Sequence, residues 1–118
     1  MGVYRVGEIA TAALIFTAAG TLLVCFGVPL FLGRVRPNWW YGCRTEKTLS
    51  DETAWYAVNR VTGRDLAAGG IALIVGSLAL LLFGRGVNPT HAVLALLFIL
   101  LLSVVIMAVD SYRTRKRM

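Results

Sequence analysis

Three apolar runs divide the chain: Ile9 to Leu32, Leu66 to Phe83 and Pro89 to Val109, none containing Asp, Glu, Lys or Arg. Each is close to the ~20 residues that carry an α-helix across a ~30 Å hydrocarbon layer. The pattern predicts an all-α polytopic membrane protein with three transmembrane helices, at about residues 9–32, 66–83 and 89–109. Between the first two spans lies a polar segment, 33–65, and after the third a basic tail, 110–118. All 118 residues read as a single membrane domain.

The polar segment has two halves. From Gly33 to Thr48, Gly, Pro and Asn punctuate the chain and no helical period is visible, which predicts a structured loop. From Ser50 the pattern becomes helical. Ser50 is the expected N-cap, Asp51 and Glu52 suit the first-turn dipole, and Ala54, Trp55, Val58 and Val61 recur at helical spacing. With Thr53 at N3 the capping box is incomplete. This helix is expected to lie on the membrane surface and turn at Gly63 into span two, or to run straight into it.

Within the spans, Pro29 should kink the first helix or end it a turn early. Asn88 caps the third, with Pro89 at N1. The "GRG" at 84–86 makes a short turn. Ala68, Ala72 and Gly76, with Gly69 and Gly70 beside them, form a small-residue strip, and Gly20 and Gly27 occur in span one. These mark spans one and two for tight packing. Span three is bulkier and reads as a lipid-facing wall.

Composition adds orientation. With 58% hydrophobic residues and a mean hydropathy of +0.72, the solvent is lipid. The first run is longer than a signal-peptide core and no small-x-small cleavage site follows it, so it is expected to remain as a span. At Cys25, the bulky Val24 argues against a lipoprotein signal. Ten of the twelve basic residues lie in 33–65 or the tail; Arg5 and Arg85 lie on the other side. The positive-inside rule then places the N-terminus outside and the loop and C-terminus in the cytoplasm. The net charge of +6 is thus a topology signal rather than a sign of nucleic-acid binding. The basic tail can also rest on anionic headgroups.

Little catalytic chemistry is visible. Cys25 and Cys43 have no metal-ligand spacing and are not expected to form a disulfide in a reducing compartment. Glu8 and His91 sit at helix starts near the outer surface. Glu46, Asp51, Glu52 and Asp65 sit where caps and solvated surface would put them. No nucleophile with its base, paired intramembrane carboxylates or metal cluster can be assembled. The buried mid-depth ionisable groups and broken helices of a transporter are not seen either. Neither a cofactor nor an enzymatic activity is expected.

The unusual stretch is Arg36 to Arg60, with three Trp, two Tyr and two Asn. An interfacial aromatic belt accounts for the placing of Trp39, Trp40 and Tyr41. It does not account for Pro37, Asn38, Gly42, Arg44 and Thr45 around them, which suit a folded loop: a fixed torsion, an Asx turn, a left-handed residue and a planar donor fork. Trp55 and Asn59 share a helix face, with Arg60 and Arg64 on the next and Tyr56 one turn from Arg60. The loop is expected to fold back so that Arg44 or Asn38 meets Asn59 and exposed carbonyls under a lid of Trp. Such a polar site either stabilises the loop or binds a ligand.

From Pro37 to Gly63 the residues resemble the signature of the SdpI-like family of bacterial membrane proteins. Pro37, Asn38, Trp40, Tyr41, Gly42, Arg44, Thr45, Leu49, Trp55, Asn59 and Arg60 fall on its pattern. Glu46 departs from it, standing where the family often has Pro. The family's best-known member carries an extra N-terminal membrane region with no counterpart here. The resemblance extends over spans one and two and into span three.

It implies a multi-pass protein of the bacterial inner membrane that protects against a membrane-active peptide toxin, and in the best-known member recruits a cytoplasmic repressor. The expected partners are membrane lipids, a peptide toxin, a cytoplasmic regulator and further copies of the chain. A different reading is an accessory or stabilising subunit of a larger membrane complex.

Overall fold

The structure is a computed structural model that describes residues 6–38, 40–84 and 86–117. Four helices follow in order: α1 (Val6–Phe31), α2 (Glu46–Ser50), α3 (Glu52–Phe83) and α4 (Pro89–Arg117). Of these, α1, α3 and α4 are long and apolar enough to cross a membrane. Trp39, Arg5 and Arg85, which enter the aromatic and topological expectations above, lie outside the described residues.

The central helix is α3. Its 32 residues rise by ~48 Å, well beyond a ~30 Å hydrocarbon layer, so a third of it stands in the headgroup region and beyond. Of the two expected routes into span two, the chain takes the direct one. Gly63 is inside the helix, and no turn separates the polar half from the span. Its N-cap is Asp51 rather than Ser50, because the Asp51 carboxylate accepts from the backbone N–H of Thr53 and Ala54 at 2.9 and 3.4 Å. Ser50 belongs instead to α2, a short helix within and just beyond the stretch expected to be loop. Thr45 caps α2 by a full capping box: its hydroxyl accepts from Thr48 N, and the Thr48 hydroxyl accepts from Thr45 N. The short Thr takes the role that Glu or Gln usually fills.

Pro29 does not break α1, which runs on to Phe31. The helix stops because Gly33, at φ +71°, takes the left-handed position, with Arg34 N bonding Pro29 O and Gly33 N bonding Leu30 O. This pair of bonds satisfies the last carbonyls of the helix. At the other end of the molecule, α4 begins as expected: the Asn88 side chain accepts from Thr90 N at 2.9 Å, and Pro89 is the first helical residue. Across the preceding turn Val87 N bonds Gly84 O, and Gly86 has φ +80°.

Spans one and two pack closely, as expected, through the expected Gly20, Gly27 and Gly70, but with Gly63 in place of Ala68, Ala72 and Gly76. A Cβ on Gly20 would lie 2.6 Å from Gly70 O, and one on Gly27 would lie 2.6 Å from Gly63 O. Two glycines seven apart on α1 thus meet two seven apart on antiparallel α3, and the backbones touch. Ala68 and Ala72 are exposed, and with Gly69 they border a groove against Phe98, Ile99 and Ser103 of α4. Gly76 faces Leu96 and Ile99 of α4. The physical reason is angular: Gly63 and Gly70 are two helical turns apart and share one face, and the Ala68 strip is rotated away from it.

Phe16, Leu73 and Leu96 join the three spans in one buried cluster. α1 and α4 both pack against α3 and touch each other much less. Most of α4 is exposed, from Leu94 to Val109, as a lipid-facing wall requires.

Candidate functional site

The segment from Arg34 to Ser50 folds back over the first two turns of α3. Its anchor is Trp55, fully buried, whose indole N–H donates to Val35 O at 2.8 Å. A buried indole needs such an acceptor, and the returning chain supplies it. Trp40 is 85% exposed and covers nothing of the sort. The expected lid of Trp is therefore one buried ring beneath the loop; Trp39 is not among the described residues.

Asn38 builds the next turn. Its side-chain oxygen accepts from Trp40 N and Tyr41 N at 3.0 and 2.7 Å, and its amide donates to Arg36 O at 2.8 Å. This is the Asx turn expected from the sequence. It also occupies Asn38 locally, so Asn38 does not reach Asn59. Tyr41 then points back to α1, its hydroxyl donating to Phe26 O and its ring edge-on to Phe26 at 5.6 Å. Partial burial raises the Tyr41 pKa above its ordinary 10.0.

Asn59, 2% exposed, closes the site. Its oxygen accepts from Cys43 N, and its amide donates to Cys43 O at 3.3 Å and Trp55 O at 3.0 Å. Both backbone groups of one loop residue are thereby read by one side chain. Gly42 makes this approach possible: its φ is +102°, and a Cβ there would lie 2.7 Å from the Asn59 oxygen. The bonds described for Asn59 go to Cys43 and Trp55, not to Arg44, which is exposed on the strand of loop between Cys43 and Thr45. Pro37 and Arg60 are also exposed.

Several contributors were not legible beforehand. Thr48 is fully buried and donates to Cys43 O at 2.9 Å, a second bond to that carbonyl. Lys47 Nζ donates to Arg115 O at 3.0 Å, tying α2 to the end of α4. The Thr62 and Ser111 hydroxyls meet at 2.7 Å between α3 and α4. Asp65, expected to be solvated, is 9% exposed. Arg64 bridges it at 3.2 Å to Asp110 of α4 at 3.1 Å. A Thr-x-x-Thr spacing at 45–48 and an acid at the border of each of two spans were the available signals.

The Cys43 thiol is half-buried. Desolvation raises its pKa above 9.0, opposed by the Arg115 charge and a hydrogen bond with Thr62. A raised thiol is a poor nucleophile. Among the described residues no three His, Cys, Asp or Glu side chains cluster as metal ligands.

The loop, its dock on α3 and most of α4 coincide with a match to the SdpI/YfhL protein family over residues 34–109. The chain belongs to the SdpI/YfhL protein family. The matched region begins after α1 and takes in the loop, α2, α3 and most of α4. No curated protein and no solved structure matches the chain. Together, SdpI/YfhL membership and three membrane-length apolar helices make this a multi-pass membrane protein.

Proposed function

We propose that the chain is a non-enzymatic immunity or signal-receiving protein of the bacterial inner membrane. It protects against a membrane-active peptide toxin and presents its loop in the cytoplasm to a regulator. Family membership supports this reading, because the family is an immunity-type membrane family and is not a known enzyme family. The structural support is the Asn59 dock on Cys43. It clamps the signature loop to the same unbroken helix that crosses the bilayer, so an event among the spans reaches the loop without passing a hinge. The bias of basic residues toward the loop and tail supports a cytoplasmic loop.

The test is deletion of the gene followed by challenge with the host's own secreted membrane-active peptides. Raised sensitivity, restored by the wild-type chain but not by Asn59→Ala, is the expected result. Unchanged sensitivity to every such peptide would overturn the proposal. The exposed Ala68 and Ala72 on α3 leave room for another helix and favour, as a second reading, an accessory subunit of a larger complex. Native mass measurement after gentle extraction separates the two, since a subunit must carry a foreign chain.

A further inference from the structure

Because α1 and α4 both lean on α3 and diverge from each other, a cleft opens between them under the loop. It has a volume of about 610 Å³, within the ~300–1,000 Å³ of small-ligand sites. Its depth is apolar, walled by Leu23, Phe26 and Leu30 of α1, Leu66 of α3, and Met107 and Ala108 of α4. Its mouth is polar and carries one charge, Arg115. Arg115 Nε is buried without a hydrogen-bond partner, and no described carboxylate pairs with the guanidinium. The Tyr112 ring lies 5.8 Å from the guanidinium carbon.

We propose that this cleft is a binding site for one anionic phospholipid of the leaflet on the loop side. One acyl chain lies along Phe26, Leu66 and Met107, and the phosphate is held by Arg115. The dimensions suit this occupant. Arg115 stands eight residues beyond Met107 on α4, ~12 Å along the axis, which is the step from acyl chain to headgroup depth. A planar guanidinium with a buried, unused donor is suited to a phosphate, and a basic pocket between spans is a recurrent headgroup site.

A peptide suits it less well. The polar groups at the mouth already have hydrogen-bond partners: the Tyr41 hydroxyl on Phe26 O, the Cys43 backbone N–H on Asn59, and the Thr62 hydroxyl on that of Ser111. A peptide backbone would find few partners there, and its cations would meet no acid. The lipid site stands independently of the immunity reading and is tested without a toxin.

The full-length protein is reconstituted in phosphatidylcholine nanodiscs containing a minor fraction of phosphatidylglycerol, then released into mild detergent. Retained lipid is measured by native mass spectrometry. One phosphatidylglycerol per chain should be kept in about tenfold preference over phosphatidylcholine, whose phosphate is already neutralised by its own choline cation, which Arg115 repels. Arg115→Gln should abolish the preference, while Arg113→Gln, the same charge change on an exposed tail residue, should leave it intact. Ala108→Trp, which fills the cleft and keeps the charge, should displace the lipid, and it decides the matter should Arg115→Gln fail to fold. Equal retention of the two lipids by the wild type, equal losses in the two Arg variants, full retention in Ala108→Trp, or a peptide in place of the lipid would each overturn the proposal.

Discussion

The Asn59 side chain reads both backbone groups of Cys43, sixteen residues earlier in the chain, accepting from its N–H and donating to its carbonyl. This two-pronged grip joins loop to span, and it makes a sharp prediction. Asn59→Ala leaves the Cys43 N–H without its described acceptor, at a cost of ~1–3 kcal/mol for a buried polar group. Hydrogen exchange at the Cys43 amide should quicken by one to two orders of magnitude at ~1.4 kcal/mol per tenfold, with α4 unaffected. Unchanged protection would mean that the loop is held elsewhere.

Trp55 and Trp40 should behave as opposites. Trp55→Phe removes the bond to Val35 O and part of a fully buried ring, and a loss of ~1–3 kcal/mol is expected. Trp40→Phe changes a mostly exposed ring and should stay within ~0.5 kcal/mol. Thermal unfolding in the same detergent compares them.

Gly63→Ala should damage the α1–α3 seam, because its new Cβ would run into the backbone at Gly27 O and Phe31 N. Overpacking of this kind costs ~1–3 kcal/mol or more when backbone must shift. Gly7→Ala is the control, since nothing lies within 4 Å of a Cβ there. Reversible denaturation in mixed micelles should show a large loss for the first and none for the second.

Arg64 holds Asp65 and Asp110 together, so its removal leaves two nearby acids, one of them buried. Arg64→Gln should loosen the loop-side end of α4. Arg64→Gln combined with Asp110→Asn should recover much of that loss by removing one negative charge. Crosslinking yield between cysteines placed at Thr62 and Ser111, now paired by hydroxyls, follows the separation. No recovery in the double variant would show that Arg64 acts by packing its stem, not by its charge.

The dock should also weaken at high pH. Burial lifts the Cys43 thiol above 9.0 and the Tyr41 hydroxyl above 10.0, so the fold favours the protonated form of each. That contribution is full below the ordinary values and is lost as pH rises through the raised ones. Alkylation of Cys43 should be slower than that of a free thiol at pH 8 and should accelerate steeply above pH 9 as the loop releases. A rate equal to a free thiol's throughout would refute this.

What could be read in advance divides along physical lines. The spans are governed by hydropathy over some twenty positions, which no single residue can overturn. The cap at Asn88 and the Asx turn at Asn38 are local chemistry and were equally legible. The Asn59 grip was half legible: the residue was recognisable, but its partner is a backbone unit, and backbone has no signature in a sequence. Of the glycine seam, Gly20, Gly27 and Gly70 were recognisable; Gly63 was read as a junction, and Ala68 and Ala72 have the right sizes on the wrong face, since a helical wheel alone does not say which face meets which neighbour. Asp65 was misplaced because its burial depends on Arg64 and Asp110, a tertiary contact across 45 residues.

The unbroken run of α3 from Asn59 through Gly63 to Gly70 couples two contacts that face different neighbours. Insert one amino acid between Asn59 and Gly63 and everything upstream swivels by ~100° about the rod. Loop grip and glycine groove then cannot both be in phase. Spacing in this stretch is accordingly as tightly constrained as the residues themselves, and relatives should tolerate a changed letter here more readily than a changed length.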